Sequence, residues 1–142
     1  MVKNNIRKSL LEQGLTLSEK FILSSNNQIQ EKFLEYLSTV EFKKILLYSP
    51  YKNEIKLDLV LKKLNEMKKE IFIPKVFPNN ELKFNLLESC NQLIKNKYNI
   101  LESQSNLFVK ANMINVLVVP FLGIDVNGKR LGYGGGLSLI HI

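Results

Sequence analysis

The stretch "GKRLGYGGG", residues 128–136, sets two cations among glycines. Gly134, Gly135 and Gly136 carry no side chains to block an anion and can take positive φ, so successive backbone N–H groups can turn toward one point. Lys129 adds a mobile ammonium, and Arg130 a planar fork suited to phosphate. A helix beginning just beyond would add its dipole. These features describe a phosphate cradle. The established glycine motifs do not fit it: no lysine followed by Ser or Thr comes after the glycines, as a P-loop requires, and from Gly132 and Gly134 the third glycine of a dinucleotide fingerprint falls on Leu137. On spacing alone, a glycine turn without a ligand is an equal reading.

Other residues could do chemistry, each with a plainer alternative. Arg7 and Arg130 are the only arginines among twenty basic residues, which draws notice to them wherever a bidentate anion contact is needed. Glu54 in "YSPYKNE" could hold a basic heterocycle, or be a solvated surface carboxylate. Asp125 could be a metal ligand or a base, although Asp before Asn-Gly is more often turn chemistry. Tyr51 and Tyr133 could stack on a planar ligand or serve only in packing. Cys90 is alone, so there is no intrachain disulfide and no CxxC pair, and it reads as an inert buried thiol. With His141 as the sole histidine, a Ser-His-Asp triad or a multi-histidine metal site would have to include it.

The elements that must position these residues follow from periodicity. Ile6, Leu10 and Leu11, then Leu17, Phe21, Ile29, Phe33 and Leu37, recur at helical spacing, with a break at Gly14 and a cap at Thr16 or Ser18. "KILLYSP" reads as a short buried strand and "IKLDLVLKKLNEMKKE" as a helix with Leu57, Val60, Leu61 and Leu64 on one side. "IFIPKV" is a second buried strand, and "ELKFNLL" a third that alternates. "SCNQLIKNK" is expected to hold a helical turn or two, "NKYNILESQSN" to be a surface loop, and "INVLVVPF" to be the clearest buried strand. "DVNGKR" carries the Asn-Gly pair of a tight hairpin. Strands apolar throughout, separated by amphipathic helices, predict an α/β fold: a mainly parallel sheet flanked by helices on both faces. Ligands in such sheets bind at the carboxyl ends of strands, so the loops after Ser49, Val76 and Pro120 are the ones to examine.

At 142 residues the chain fits one domain, and its 45% apolar content is that of a soluble globular protein. No apolar run is long enough to cross a bilayer. The start, "MVKNNIRKSLLEQ", has neither the apolar block nor the cleavage site of a secretory signal, so a cytoplasmic location is expected. The net charge of +7 is spread as scattered lysines with acids between them, without the basic block or stacked aromatic stripe of a nucleic-acid groove. A polyanionic small molecule is therefore the expected partner, with no nucleic acid and no membrane, and the protein is expected to be a monomer.

Taken together, "VVPFLGIDVNGKRLGYGGG" resembles the signature of the 5-formyltetrahydrofolate cyclo-ligase (methenyltetrahydrofolate synthetase) family, P-G-x-x-F-D-x-x-G-x-R-L-G-x-G-x-G-Y-Y-D. The likeness extends along the chain: Lys3 and Arg7 match a K-x-x-x-R helix, "YSPYKNE" a strand and its glutamate, "IFIPKV" a Pro-Lys/Arg strand, and "YNILES" a G-I-x-E-P segment. Phe121 replaces the usual Gly and Ile124 the usual Phe, both mild changes, while Ser103 stands for a Pro and is expected to loosen a loop.

The resemblance implies a ligase that uses ATP and magnesium to convert 5-formyltetrahydrofolate into 5,10-methenyltetrahydrofolate, ADP and phosphate, through a phosphorylated formyl intermediate. It implies that Lys3, Arg7 and Arg130 contact the ATP phosphates, with Arg130 in the catalytic role. Leu131, Gly132, Tyr133, Gly134, Gly135 and Gly136 would wrap the nucleotide. Tyr133 and the three following glycines also border the folate, Glu54 pairs with the pterin's amino-pyrimidine edge, and Ser49 and Tyr51 line that pocket. After Gly136 the family continues Tyr-Tyr-Asp, the Asp being at the magnesium; this chain reads "LSLIHI" instead. Those residues match the translation of an adaptor used in sequencing libraries, so 1–136 is read as the domain, incomplete at its C-terminus and expected to have weak or no activity. Residues 137–142 are read as an adaptor-derived tail that includes His141. A noncatalytic nucleotide- or phosphate-binding α/β module is the alternative reading.

Overall fold

A computed structural model describes residues 2–78, 81–88, 93–97 and 99–133. Cys90, Gly134–Gly136 and residues 137–142 lie outside these. Two helices open the chain, α1 (Val2–Leu15) and α2 (Glu19–Ser38). Ser18 is the cap of α2, its hydroxyl accepting from the Phe21 amide at 3.1 Å, which satisfies one of the donors a helix start leaves open. Strand β1 (Lys44–Leu46), helix α3 (Asp58–Glu66) and strand β2 (Glu70–Val76) then form a βαβ unit in which β1 and β2 pair in parallel.

Strand β3 (Leu82–Leu86) folds back antiparallel on β2. After the hairpin of β4 (Leu93–Lys95) and β5 (Leu101–Ser103) come β6 (Phe108–Val109), a 3-10 turn (Ala111–Met113) and β7 (Val116–Leu117). The main sheet has the order β6-β3-β2-β1-β7. Its three strands β2, β1 and β7 are parallel, and β3 and β6 are added antiparallel. This is the expected α/β class, with the parallel strands β2, β1 and β7 forming one side of the sheet.

The two faces are filled differently. Ile45, Leu47, Ile71 and Ile73 join Leu37 of α2 and Val60 and Leu64 of α3 in one core cluster, with Phe33 and Leu34 packed against it. The alternate residues Leu46, Phe72 and Phe84 form a smaller cluster on the other face, against Leu82, Leu86, Val109, Ala111 and Ile114. Among the described residues, the expectation of flanking helices is thus met on the first face, by α2 and α3.

Four local expectations are corrected. Leu93–Lys95 is a strand, not a helical turn, and it pairs with Leu101–Ser103 inside the stretch read as a surface loop. That stretch holds buried Glu102, Ser103 and Ser105, because each polar group finds a partner. Glu102 Oε2 accepts from the Val76 amide at 2.6 Å, Ser103 Oγ donates to the Leu86 carbonyl at 2.7 Å, and Asn85 Nδ2 donates to the Ser105 carbonyl at 2.6 Å. Ser103 therefore ties its segment down rather than loosening it. The apolar run "INVLVVPF" supplies only the short β7, at the edge of the sheet, where Leu117 is 50% exposed.

Beyond β7 the chain forms a hairpin of β8 (Gly123–Ile124) and β9 (Arg130–Leu131). Its turn is built by Asp125 as much as by Asn-Gly: Asp125 Oδ1 accepts from the amides of Asn127 and Lys129, both at 2.8 Å, and Gly128 takes the left-handed φ of 78°. Asp125 is thereby occupied with turn chemistry.

Candidate active site

Because β1, β2 and β7 run parallel, the segments that follow them emerge at one edge of the sheet. After β1, Tyr48–Glu54 curls into a turn in which the Glu54 amide donates to the Tyr51 carbonyl at 3.1 Å and Glu54 Oε2 accepts from the Tyr51 amide at 2.8 Å. Lys52 holds a left-handed φ of 52° at the tip, a conformation that costs a non-glycine residue about 1 kcal/mol. Tyr48 stands at the base of this turn and donates its hydroxyl to the Ile55 carbonyl at 2.7 Å.

Between this turn, α2 and the segment after β7 lies a cleft of about 400 Å³. Ile29 and Phe33 line one wall, Ile55 and Leu57 another, and Val118–Phe121 the third, with Gln30, Tyr48 and Glu54 as polar members. Burial raises the Glu54 carboxyl pKa above the ordinary carboxylate range, against the opposing pull of the Tyr51 amide and Lys56. Tyr48 and Tyr133 are also raised, first by their own burial and then by the Glu54 charge. Tyr133, 79 positions from Glu54, thus comes close enough to feel it. A flat apolar ring would find the walls it needs here, and a carboxylate able to accept two N–H groups at the mouth.

The second half of the site lies where α1 meets the hairpin. Arg7 Nε donates to the Gly132 carbonyl at 2.9 Å, while its Nη1 donates to Asn4 Oδ1 at 2.8 Å. Arg130 Nη1 donates to the Pro120 carbonyl at 3.0 Å. The chain's two arginines are therefore fixed at the entrance to the glycine segment, and each has further N–H donors beyond those bonds. A Cβ built at Gly132 would meet no atom of the described residues within 4 Å. Lys3 lies one helical turn before Arg7 and is exposed. Leu131 pairs with Gly123 in the hairpin, and Ser49 is half-buried just past β1.

The geometry thus brings Glu54, Tyr51 and Tyr133 to one end of the site and Arg7, Arg130, Leu131 and Gly132 to the other, while Gly134–Gly136 fall outside the described residues. The remaining donors of these guanidinia fit a phosphate group. Among the described residues no three His, Cys, Asp or Glu side chains gather where they could hold a metal ion. Sequence reasoning placed Phe121 in the signature as a mild change and passed over the other walls of the cleft, Tyr48 and Phe33, because their spacing is that of ordinary core residues.

The α/β fold thus carries a cleft with a half-buried carboxylate, Glu54, and two arginines held to the Gly132 and Pro120 carbonyls. The chain belongs to the 5-formyltetrahydrofolate cyclo-ligase family, a family of ligases, whose model matches residues 1–138. It is similar to the 5-formyltetrahydrofolate cyclo-ligase of Mycoplasma pneumoniae, 27% identical over 138 residues that make up 96% of this chain and 74% of the relative. Its structure is similar to that of a 5,10-methenyltetrahydrofolate synthetase from Mycoplasma pneumoniae, with a TM-score of 0.75 and 26% identity over 94% of this chain and 73% of the other. The methenyltetrahydrofolate synthetase of Aquifex aeolicus superposes with a TM-score of 0.78 at 28% identity, covering 96% and 70%.

Proposed function

We propose that the chain carries the binding site of an enzyme for the ATP-dependent conversion of 5-formyltetrahydrofolate to 5,10-methenyltetrahydrofolate in the cytoplasm. The observation that carries this reading is Glu54: a carboxylate partly stripped of water at the mouth of an apolar-walled cleft, on the turn after a parallel strand. Ionised, it accepts the parallel N–H pair of an amino-pyrimidine edge, while Phe33, Phe121 and Val119 enclose the ring system and keep water from it. Ser49 and Tyr51 border the same pocket, and Tyr133 bridges from the folate side to the glycine segment.

In the proposed reaction the formyl oxygen attacks the γ-phosphorus of ATP, the bond to ADP breaks, and N10 of the folate closes on the activated carbon as phosphate leaves. Transfers of this kind depend chiefly on alignment and on neutralising spread negative charge. Lys3, Arg7 and Arg130 supply that charge, Arg130 nearest the reacting phosphate, and residues 132–136 wrap it. Magnesium, when bound with ATP, would neutralise further phosphate charge.

The test is to mix purified protein with ATP and 5-formyltetrahydrofolate and follow the absorbance of the methenyl product. Product whose formation needs both substrates and is lost in Arg130→Met supports the reading. Binding of ATP with neither folate binding nor product supports a noncatalytic nucleotide module instead.

A further inference from the structure

Helix α2 presents Phe33 and Leu37 to the core, and one and two turns earlier on the same stripe stand two amides, Gln30 and Asn26. Gln30 is 1% exposed and Asn26 is 7% exposed. Buried amides are costly unless partnered, and the partners of these two lie within the six residues after Glu54. Asn26 Oδ1 accepts from the Lys56 amide at 3.1 Å. Gln30 Oε1 accepts from the amides of Leu59 at 2.9 Å and Val60 at 3.2 Å, while its Nε2 donates to Asp58 Oδ1 at 3.0 Å.

Helix α3 has no side-chain cap of its own, since its N-cap residue is Leu57. The open donors of its first turn are met instead by a side chain reaching across from another helix. With Tyr48 holding the Ile55 carbonyl, the backbone is pinned at 55, 56, 59 and 60, so Glu54 is the residue that joins this pinned segment to the Tyr51 turn, to which it is itself bonded.

We propose that Asn26 and Gln30 are positioning residues for substrate recognition: they hold the start of α3 and the loop before it so that the Glu54 carboxylate stays aimed into the cleft. This rests on the reading of Glu54 as the group that meets the pterin. Asn26 acts through the loop alone; Gln30 also lines the cleft, but its amide oxygen is taken up by the Leu59 and Val60 amides and its nitrogen donates to Asp58. The desolvation of Glu54 follows from the same clamp, because a loop released from α2 lets water reach the carboxylate.

The test is the affinity of 5-formyltetrahydrofolate for the full chain, measured by titration calorimetry from mildly acidic to neutral pH. Asn26→Leu removes one acceptor and Asn26→Asp keeps it. Ser103→Ala, in the β4–β5 hairpin, serves as a destabilised control away from the loop. The expected result is about a tenfold loss of affinity in Asn26→Leu, the size of one lost hydrogen bond, well below its unfolding temperature. Its acid limb should move to lower pH as Glu54 becomes better solvated. Asn26→Asp should bind as wild type does, and Ser103→Ala should keep wild-type affinity despite reduced stability.

Wild-type affinity and pH profile in Asn26→Leu overturn the inference, as does an equal loss in Ser103→Ala. If the leucine variant does not fold, Asn26→Ala decides by the same criteria. Glu54→Gln separates the two layers: if it binds as tightly as wild type, the reading of the site fails and the inference fails with it. If it binds weakly while Asn26→Leu does not, only the clamp is wrong.

Discussion

Arg7 Nε donates to the carbonyl of Gly132 at 2.9 Å, joining residues 125 positions apart in sequence. The bond makes the first helix part of the glycine segment's frame: α1 has no buried residue of its own, and its place depends on contacts of this kind. Arg7→Lys keeps the charge but loses the fork. Unfolding in urea should show a loss of about 1–2 kcal/mol for a charged donor to a carbonyl, and ATP affinity should fall with it. Lys3→Met, on an exposed position of the same helix, should lower ATP affinity with stability unchanged. Equal stability of wild type and Arg7→Lys would show that the bond does not hold α1.

A second contact on the same helix can be read by coupling. A Cβ at Gly123 would stand 3.0 Å from Leu10 Cδ1, tighter than side chains accept without shifting. Gly123→Ala should therefore cost about 1 kcal/mol as α1 is pushed from the hairpin. Leu10→Ala should cost less in the Gly123→Ala background than alone. A double-mutant cycle measures this, and strict additivity would place the helix elsewhere.

Glu54 predicts an unusual pH response. Its folded carboxyl is raised above the unfolded value by burial, so the folded state binds the proton more tightly than the unfolded chain does. Its contribution to stability is then fully present below the unfolded pKa and is lost as pH rises through the folded one. Glu54→Gln keeps an oxygen to accept the Tyr51 amide and removes the charge. It should raise the melting temperature at neutral pH and flatten the acid side of the profile, while abolishing tight folate binding. Glu70 has the opposite sign: hydrogen bonding to Lys44 lowers it, so its stabilisation is lost as pH falls, and Glu70→Gln should lower the melting temperature at neutral pH.

Glu102 gives a structural prediction within the hairpin. It is 6% exposed and accepts the Val76 amide at the carboxyl end of β2. Glu102→Gln retains an acceptor and should be tolerated, whereas Glu102→Leu leaves the amide unpaired and should cost about 1–3 kcal/mol by chemical denaturation.

Much of this architecture is written locally. The runs around Ile45 and Ile71 are apolar on both sides because both faces of those strands are covered, and the helical stripe from Phe33 to Leu64 is broken where strands must fall. Ser18 caps α2 as its type predicts. What was illegible depended on partners distant in sequence. Glu102, Ser103 and Ser105 read as loop because polarity is a surface signal until Val76, Leu86 and Asn85 are known to satisfy them. "INVLVVPF" read as the clearest buried strand because apolar content does not reveal which neighbours a strand has. In the site, Glu54 was visible from its motif, but Tyr48 was hidden by its ordinary spacing. Asn26 and Gln30 left one trace that could have been read, two amides in a stripe otherwise given to apolar residues.

The central claim is that the Glu54 cleft receives the folate. It is tested most directly by titrating 5-formyltetrahydrofolate into wild type and Glu54→Gln while recording backbone amide NMR shifts. The account predicts shifts concentrated at residues 48–57 and 118–121, and an affinity reduced about 10- to 100-fold in the variant, the size of a charge-assisted hydrogen-bond pair. Equal affinities, or shifts confined to other parts of the sheet, would contradict it.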